Sequence, residues 1–241
     1  MKHHTVPGLF VTGTDTGVGK THVTACIARD LRRRGLRVGV YKPVASGCVC
    51  RDGKLVSDDA LVLWDAAGRH GPLEAVCPQR FAAPLAPPLA AAAEGRVVDA
   101  GLLRAGLWPW LDYADIVLIE GAGGLMSPVS DTDYVADVAY DLGFPLLVVA
   151  ANALGVINQT LQTLITAVTF QEGLDVAGIV LNQPRPAPPD DLSVASNRSE
   201  LERRCVPPIV AELAWQAQDF DVAVDWPALA GAPPRRPLVL G

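Results

Sequence analysis

The sequence predicts an α/β protein, a single domain over residues 1–241 built on a doubly wound, mostly parallel sheet of about seven strands. Three observations predict it. An apolar strand, Leu9-Phe10-Val11, passes through a glycine-rich turn into a helical pattern. The runs 116–119 and 146–150 are wholly apolar, as strands covered on both faces must be. Such runs alternate with helix-length segments, the order of right-handed strand–helix–strand units. A length of 241 residues, half of them hydrophobic, suits one domain with a large core.

Taken in order, the first strand ends at Gly13-Thr14-Asp15-Thr16-Gly17-Val18-Gly19-Lys20-Thr21. Gly13, Gly17 and Gly19 let the backbone turn its N–H groups inward, and such a nest at a helix N-terminus binds phosphate. Lys20 adds a mobile positive charge for the β- and γ-phosphates, and Thr21 offers a hydroxyl to Mg²⁺. The stretch departs from the strict phosphate-loop spacing, because Thr14 stands where glycine is required and Gly13 lies one place earlier. A helix follows over 21–34, with Val23, Ile27 and Leu31 on one face and Gly35 as its stop. Arg32, Arg33 and Arg34 at its end suit the negative pole of the helix dipole.

A short strand over 37–40 ends at Tyr41-Lys42-Pro43, beside Val44-Ala45-Ser46-Gly47. Ligands of open α/β sheets bind beyond the carboxyl ends of strands, so Lys42 is a site candidate rather than a solvated lysine. Asp58 and Asp59 open the next helix, as caps or as Mg²⁺ ligands beside Thr21. Residues 82–96, rich in Ala and Pro, read as an ordered loop feeding a short helix. Strand 116–119 ends at Glu120-Gly121-Ala122-Gly123-Gly124, where a carboxylate is placed for Mg²⁺ and glycines admit a phosphate. Strand 146–150 is followed by Asn152 to Asn158, which open a helix carrying Leu161, Leu164, Ile165 and Val168; its free N–H groups suit a carboxylate. Strand 177–181 ends at Asn182-Gln183-Pro184. A helix near 199–204 and a short strand at 209–210 complete the sheet, and the tail over 229–241 is expected to be loosely held.

Net charge is −6, which argues against a nucleic-acid surface. The five cysteines (Cys26, Cys48, Cys50, Cys77, Cys205) are odd in number and show no C-x-x-C pair, as expected of reduced thiols in a cytoplasmic protein. Cys48 and Cys50 read as loop residues. The N-terminus lacks a signal-peptide pattern, and no apolar run is long enough to span a bilayer. His3 and His4 read as a solvated terminus.

Three stretches together (13–21, 41–47 and 120–124) resemble the signature segments of the dethiobiotin synthetase family, in order and spacing, and the likeness extends to about Trp215. The family's phosphate loop carries the same longer glycine spacing. The resemblance implies a phosphate-loop NTPase fold and an ATP-dependent ring closure in biotin synthesis. One amine of 7,8-diaminononanoate takes up CO₂ as a carbamate, ATP phosphorylates it, and the second amine displaces phosphate to give a cyclic urea. It implies Lys20 and Lys42 as catalytic residues, and Mg²⁺ on Thr21, Asp59 and Glu120. Nucleotide contacts are implied at Gly17, Val18, Gly19, Lys20, Thr21, His22, Asp59, Glu120, Gly121, Ala122, Gly123, Asn182, Gln183, Ala214, Trp215 and Gln216. Substrate contacts are implied at Thr16, Ser46 and Gly123, and across a homodimer interface at Gly155, Val156, Ile157 and Asn158. Two positions depart from the pattern: no histidine accompanies Pro87-Pro88, and Ala214 stands where proline is common.

Two other classes compete. Cobyrinate amide synthetase-like enzymes have a similar loop but need a glutaminase domain, for which no length remains. Partition and septum-positioning (ParA/MinD-like) ATPases, nucleotide-switched dimers, carry an extra loop lysine where this chain has Asp15-Thr16-Gly17.

Overall fold

The structure, a computed structural model, describes residues 6–186, 188 and 191–231. Strand β1 (Gly8–Gly13) leads through the glycine loop to α1 (Lys20–Arg33), then β2 (Val38–Tyr41). Short elements follow: β3 (Val44–Ala45), the hairpin β4 (Val49–Arg51) and β5 (Lys54–Val56), α2 (Asp58–Ala66), α3 (Leu73–Val76), β6 (Gln79–Arg80), α4 (Pro87–Ala93), α5 (Leu102–Ala105) and α6 (Trp108–Tyr113). The second half is regular: β7 (Ile116–Gly124), α7 (Val135–Leu142), β8 (Leu146–Ala151), α8 (Val156–Thr169), β9 (Val176–Asn182), α9 (Ser193–Glu202), β10 (Ile209–Leu213) and α10 (Trp226–Ala230).

The main sheet holds six strands in the order β10-β9-β8-β1-β7-β2, every pair parallel. Two further two-stranded sheets, β3-β6 and β4-β5, lie apart from it, so the expected sheet of about seven strands is six. Alternate residues feed opposite faces, as a two-residue repeat requires. Val148, Ala150, Ile179 and Leu181 join one apolar cluster with Val156 of α8 and Leu201 of α9. Leu147, Val149 and Val180 join the larger cluster on the other face, with Leu9, Val11 and α1 residues Val23 and Ile27.

Several local expectations shift. Asp52 (φ 50°) and Gly53 (φ 75°) make the positive-φ turn of a hairpin, so Cys50 lies in a strand, while Cys48 is a loop residue as expected, and buried. Strand β7 continues through Glu120 to Gly124. The predicted 199–204 helix is α9, starting at Ser193; only Asn197 and Leu201 of it are buried, so it has no apolar stripe to reveal its start. The strand at 209–210 extends to Leu213. Residues 229–230 are packed rather than loose: α10 buries Trp226 and Ala230, with Trp226 against Phe220 at 5.0 Å between ring centroids. Residues 232–241, the rest of the expected tail, lie outside the described residues, as do His3 and His4.

Candidate active site

The carboxyl ends of β1, β7 and β2 lie side by side, and each delivers part of one site. The glycine loop after β1 is anchored at both sides. The Thr14 amide donates to the Val149 carbonyl at 3.0 Å, and the Asn182 side-chain amide donates to the Val18 carbonyl at 2.8 Å. Gly19 is forced twice over: its φ is 90°, and a Cβ there would lie 2.1 Å from Asn182 Nδ2. Lys20 curls back so that Nζ donates to the Asp15 carbonyl at 3.2 Å. Burial pulls the Lys20 ammonium down to about 8 and Lys42 adds to this, while Glu120, Asp59 and Asp15 oppose it.

Lys42 follows β2, with its backbone amide held by the Val76 carbonyl at 2.7 Å. Its buried ammonium lies 2.7 Å from Glu120 Oε1 and 3.0 Å from Asp59 Oδ2. Burial works against its charge, but Glu120 and Asp59 outweigh that and hold it protonated. Burial likewise disfavours the Asp59 carboxylate, and Lys42, Thr21 and Lys20 overcome it, so its pKa ends low. Ser57 caps α2 by accepting from the Ala60 amide at 3.2 Å, which fixes the helix start. Asp59 then faces Lys42, whereas Asp58 pairs outward with Arg51 at 2.6 Å. Glu120 is fully buried; Oε1 also accepts from Thr21 Oγ1 at 2.8 Å, and Oε2 has no hydrogen-bond partner.

Lys20, Thr21, Lys42, Asp59 and Glu120 therefore line one cavity of about 360 Å³, with Thr16, Gly17, Gly19, Ala45, Ser46, Ala122 and Gly123. Thr16, Ser46, Ala122 and Gly123 also border a second cavity of about 460 Å³, walled by Pro84, Leu85, Ala86, Pro87, Ser127 and Pro128. A third, of about 440 Å³, opens on the other side of the loop between Asp15–Val18, Leu154, Gln159 and Gln183–Pro186. The wall at 84–87 belongs to the Ala/Pro-rich loop marked in the sequence, whereas the wall at 127–128 was not singled out there; the turn after Gly123-Gly124 is its local mark.

Other candidates sit elsewhere. Gly121 packs toward the core, where a Cβ would meet Val135 at 2.9 Å. His22 turns to the C-terminal side, with Nε2 at 2.8 Å from the Ala217 carbonyl. A carbonyl only accepts, so Nε2 carries the proton. Ala214, Trp215 and Gln216 form the turn after β10, outside these three cavities; Trp215 is exposed and Gln216 has φ 57°. The Gln183 amide donates to the Leu213 carbonyl at 2.9 Å, tying β9's end to that turn. Gly155 (φ 99°), Val156, Ile157 and Asn158 form the N-terminus of α8, with Asn158 facing solvent.

A parallel sheet with a glycine loop, a lysine and a hydroxyl at the start of its first helix, and carboxylates at neighbouring strand ends defines a phosphate-loop nucleotide-binding α/β protein. Solved structures agree on the fold. The chain superposes on the signal recognition particle receptor FtsY of Elizabethkingia anophelis with a TM-score of 0.54 at 17% identity, covering 98% of this chain and 66% of that one. It superposes on a ParA family ATPase of Chlorobium tepidum with a TM-score of 0.52 at 15% identity, covering 89% and 86%. Both likenesses are relations of fold alone.

Sequence relatives are far nearer. Residues 7–219 match the family described as AAA domain. The ATP-dependent dethiobiotin synthetase BioD of Rhodopirellula baltica is 47% identical over 85% of this chain and 82% of its own length. That of Anaeromyxobacter dehalogenans is 44% identical over 87% and 90%. The chain belongs to the dethiobiotin synthetase family, a family of ATP-dependent ligases.

Proposed function

We propose that the chain is an ATP-dependent dethiobiotin synthetase acting on 7,8-diaminononanoate, CO₂ and ATP. The observation that carries this reading is the convergence of Lys20, Lys42, Thr21, Asp59 and Glu120 on one cavity. One amine of the diamine adds to CO₂ and loses a proton, giving a carbamate. A carbamate oxygen attacks the γ-phosphorus and ADP leaves. The second amine attacks the carbamoyl carbon, phosphate leaves, and the cyclic urea closes.

The protein's task is to bring two anions together. Lys20 at the loop and Lys42 at the end of β2 place two cations beside the transferring phosphoryl group. The loop amides, with Gly17 and Gly19 in left-handed geometry, cradle the β- and γ-phosphates. Ser46 and Thr16, at the junction with the second cavity, face the diamine or its carbamate. Asn182, Gln183 and the 214–216 turn meet the adenine.

Mg²⁺ fits this site, because Thr21, Asp59 and Glu120 offer hard oxygen donors and Glu120 Oε2 is a buried acceptor left without a partner. When bound it supplies positive charge to the β- and γ-phosphate oxygens.

The chain works as a homodimer in this reading. Ile165 and Val168, three apart on α8, are 60% and 69% exposed, and Leu154 in the turn before the helix is 87% exposed, apolar surface suited to a second copy. Gly155 to Asn158 at its start then offer free N–H groups to the carboxylate of the partner's substrate. A cytoplasmic location accords with five free cysteines, and among the described residues no helix is long and apolar enough to cross a membrane.

The test is direct. The protein is mixed with 7,8-diaminononanoate, bicarbonate and MgATP, and products are read by mass spectrometry. Dethiobiotin with ADP is expected. ATP hydrolysis that ignores the diamine would overturn the reading in favour of a switch ATPase. Sedimentation giving twice the chain mass is expected for the dimer; a single-chain mass removes it.

A further inference from the structure

Arg104 belongs to none of the site residues named above, yet its guanidinium ties the segment that carries one wall of the second cavity to α7. It projects from α5 with its side chain only 17% exposed. Nε donates to Asp141 Oδ2 of α7 at 2.7 Å, NH2 to Asp133 Oδ1 at 2.7 Å, and NH1 to the Ala100 carbonyl at 3.0 Å. Asp133 lies in the segment 125–134 that joins β7 to α7. Its other oxygen accepts from Ser130 Oγ at 2.5 Å, and its carbonyl accepts the amides of Val129 and Ser130 at 2.8 and 3.2 Å. The segment is thus a closed turn with the Arg104 fork at its base.

The turn reaches the cleft at its other end. The Val135 amide donates to the Ser127 carbonyl at 3.0 Å, and Pro128 bridges to Tyr134. Ser127 Oγ accepts from the Gly124 amide at 3.0 Å and sits where a Cβ on Gly123 would meet it at 2.2 Å. Ser127 and Pro128 wall the second cavity opposite Ser46 and Pro84. The chain of contacts meets the phosphate loop at its start, where Gly124 pairs with Gly13; the loop's own ties, Lys20 to the Asp15 carbonyl and Asn182 to the Val18 carbonyl, are made by other residues.

We propose that Arg104, acting through Asp133, is a positioning residue that fixes the Ser127–Pro128 wall and thereby sets affinity for the diamine without setting affinity for nucleotide. The inference rests on the second cavity taking the diamine, as argued under the proposed function. A bidentate fork between two carboxylates holds a direction as well as a charge, so its loss lets the wall drift.

The experiment uses the full chain, with initial rates measured against diamine at saturating MgATP and against MgATP at saturating diamine. In Arg104→Gln the diamine KM rises about tenfold while kcat and the MgATP KM stay within about twofold. Asp133→Asn, which keeps the size of the side chain, shows the same split if Arg104→Gln fails to fold. The double variant is no worse than the worse single variant, since both break one link. Unchanged diamine KM, or equal rises in both KM values, overturns the proposal and leaves Arg104 a fold clamp. Wild-type protein that forms no dethiobiotin overturns the functional reading and the diamine wall with it, an outcome visible before any variant is made.

Discussion

The two ends of the proposed nucleotide site are built differently. At the phosphate end, groups from four segments meet: buried Lys42 touches buried Glu120 at 2.7 Å and half-exposed Asp59 at 3.0 Å, and Thr21 reaches Glu120 at 2.8 Å. Glu120 lies in the inner strand β7, Lys42 follows β2 beside it, and Thr21 and Asp59 lie in the first turns of α1 and α2, so their directions are set by ladders and helix starts. At the proposed base end the turn 214–217 follows β10, the opposite edge strand. Its tie to α1 is the His22–Ala217 hydrogen bond of 2.8 Å, and Trp215 is 44% exposed. In the proposed reading, charge preorganised for phosphoryl transfer sits on mutually hydrogen-bonded groups, whereas recognition of a flat base tolerates a more exposed turn.

If this contrast governs function, substitution effects should grade along the cleft. Lys42→Met should cut dethiobiotin turnover by about a thousandfold while MgATP affinity changes only a few-fold, measured by kcat and by equilibrium binding. Loss of nucleotide binding in that variant would make Lys42 a nucleotide-holding group rather than one that serves the transfer. Glu120→Gln should cost about a hundredfold in turnover, partly recovered by raising Mg²⁺, because it removes an anionic oxygen donor at the centre of the site. A rate indifferent to Mg²⁺ would take Glu120 out of the metal set. Asn182→Ala should raise the ATP KM about tenfold with kcat nearly kept, since it removes a buried clamp on the Val18 carbonyl. Trp215→Ala should stay within about twofold in every constant, as exposed substitutions do. An effect at Trp215 larger than that at Asn182 would reverse the ordering.

The parts of the site legible in sequence were those with a local signature. Gly17, Gly19, Lys20 and Thr21 lie within one short stretch, and Lys42 and Glu120 each follow an apolar run that reads as a strand. Strand ends of a parallel sheet share an edge, so these residues were bound to be neighbours once the runs were recognised. The hairpin at 49–56 carries a local mark too, because Asp52-Gly53 is a strong short-range turn pattern. His22 shows the limit of position along the chain. It adjoins Thr21, yet its ring turns toward Ala217, 195 residues away.

By itself the sequence determined the parallel α/β class, the phosphate loop and the two strand-end groups that face it, because periodicity and glycine placement act over a few residues. The tertiary structure decided the rest. It chose Asp59 over Asp58 through the cap at Ser57 and the pull of Lys42. It turned Ile165 and Val168 of α8 to solvent, while Thr160, Thr163 and Ala167 face the interior. It joined Arg104 to Asp133 and Asp141 across 29 and 37 residues. Each of these depends on which distant surfaces meet, and two side chains so far apart in the chain carry no local pattern announcing that they will touch.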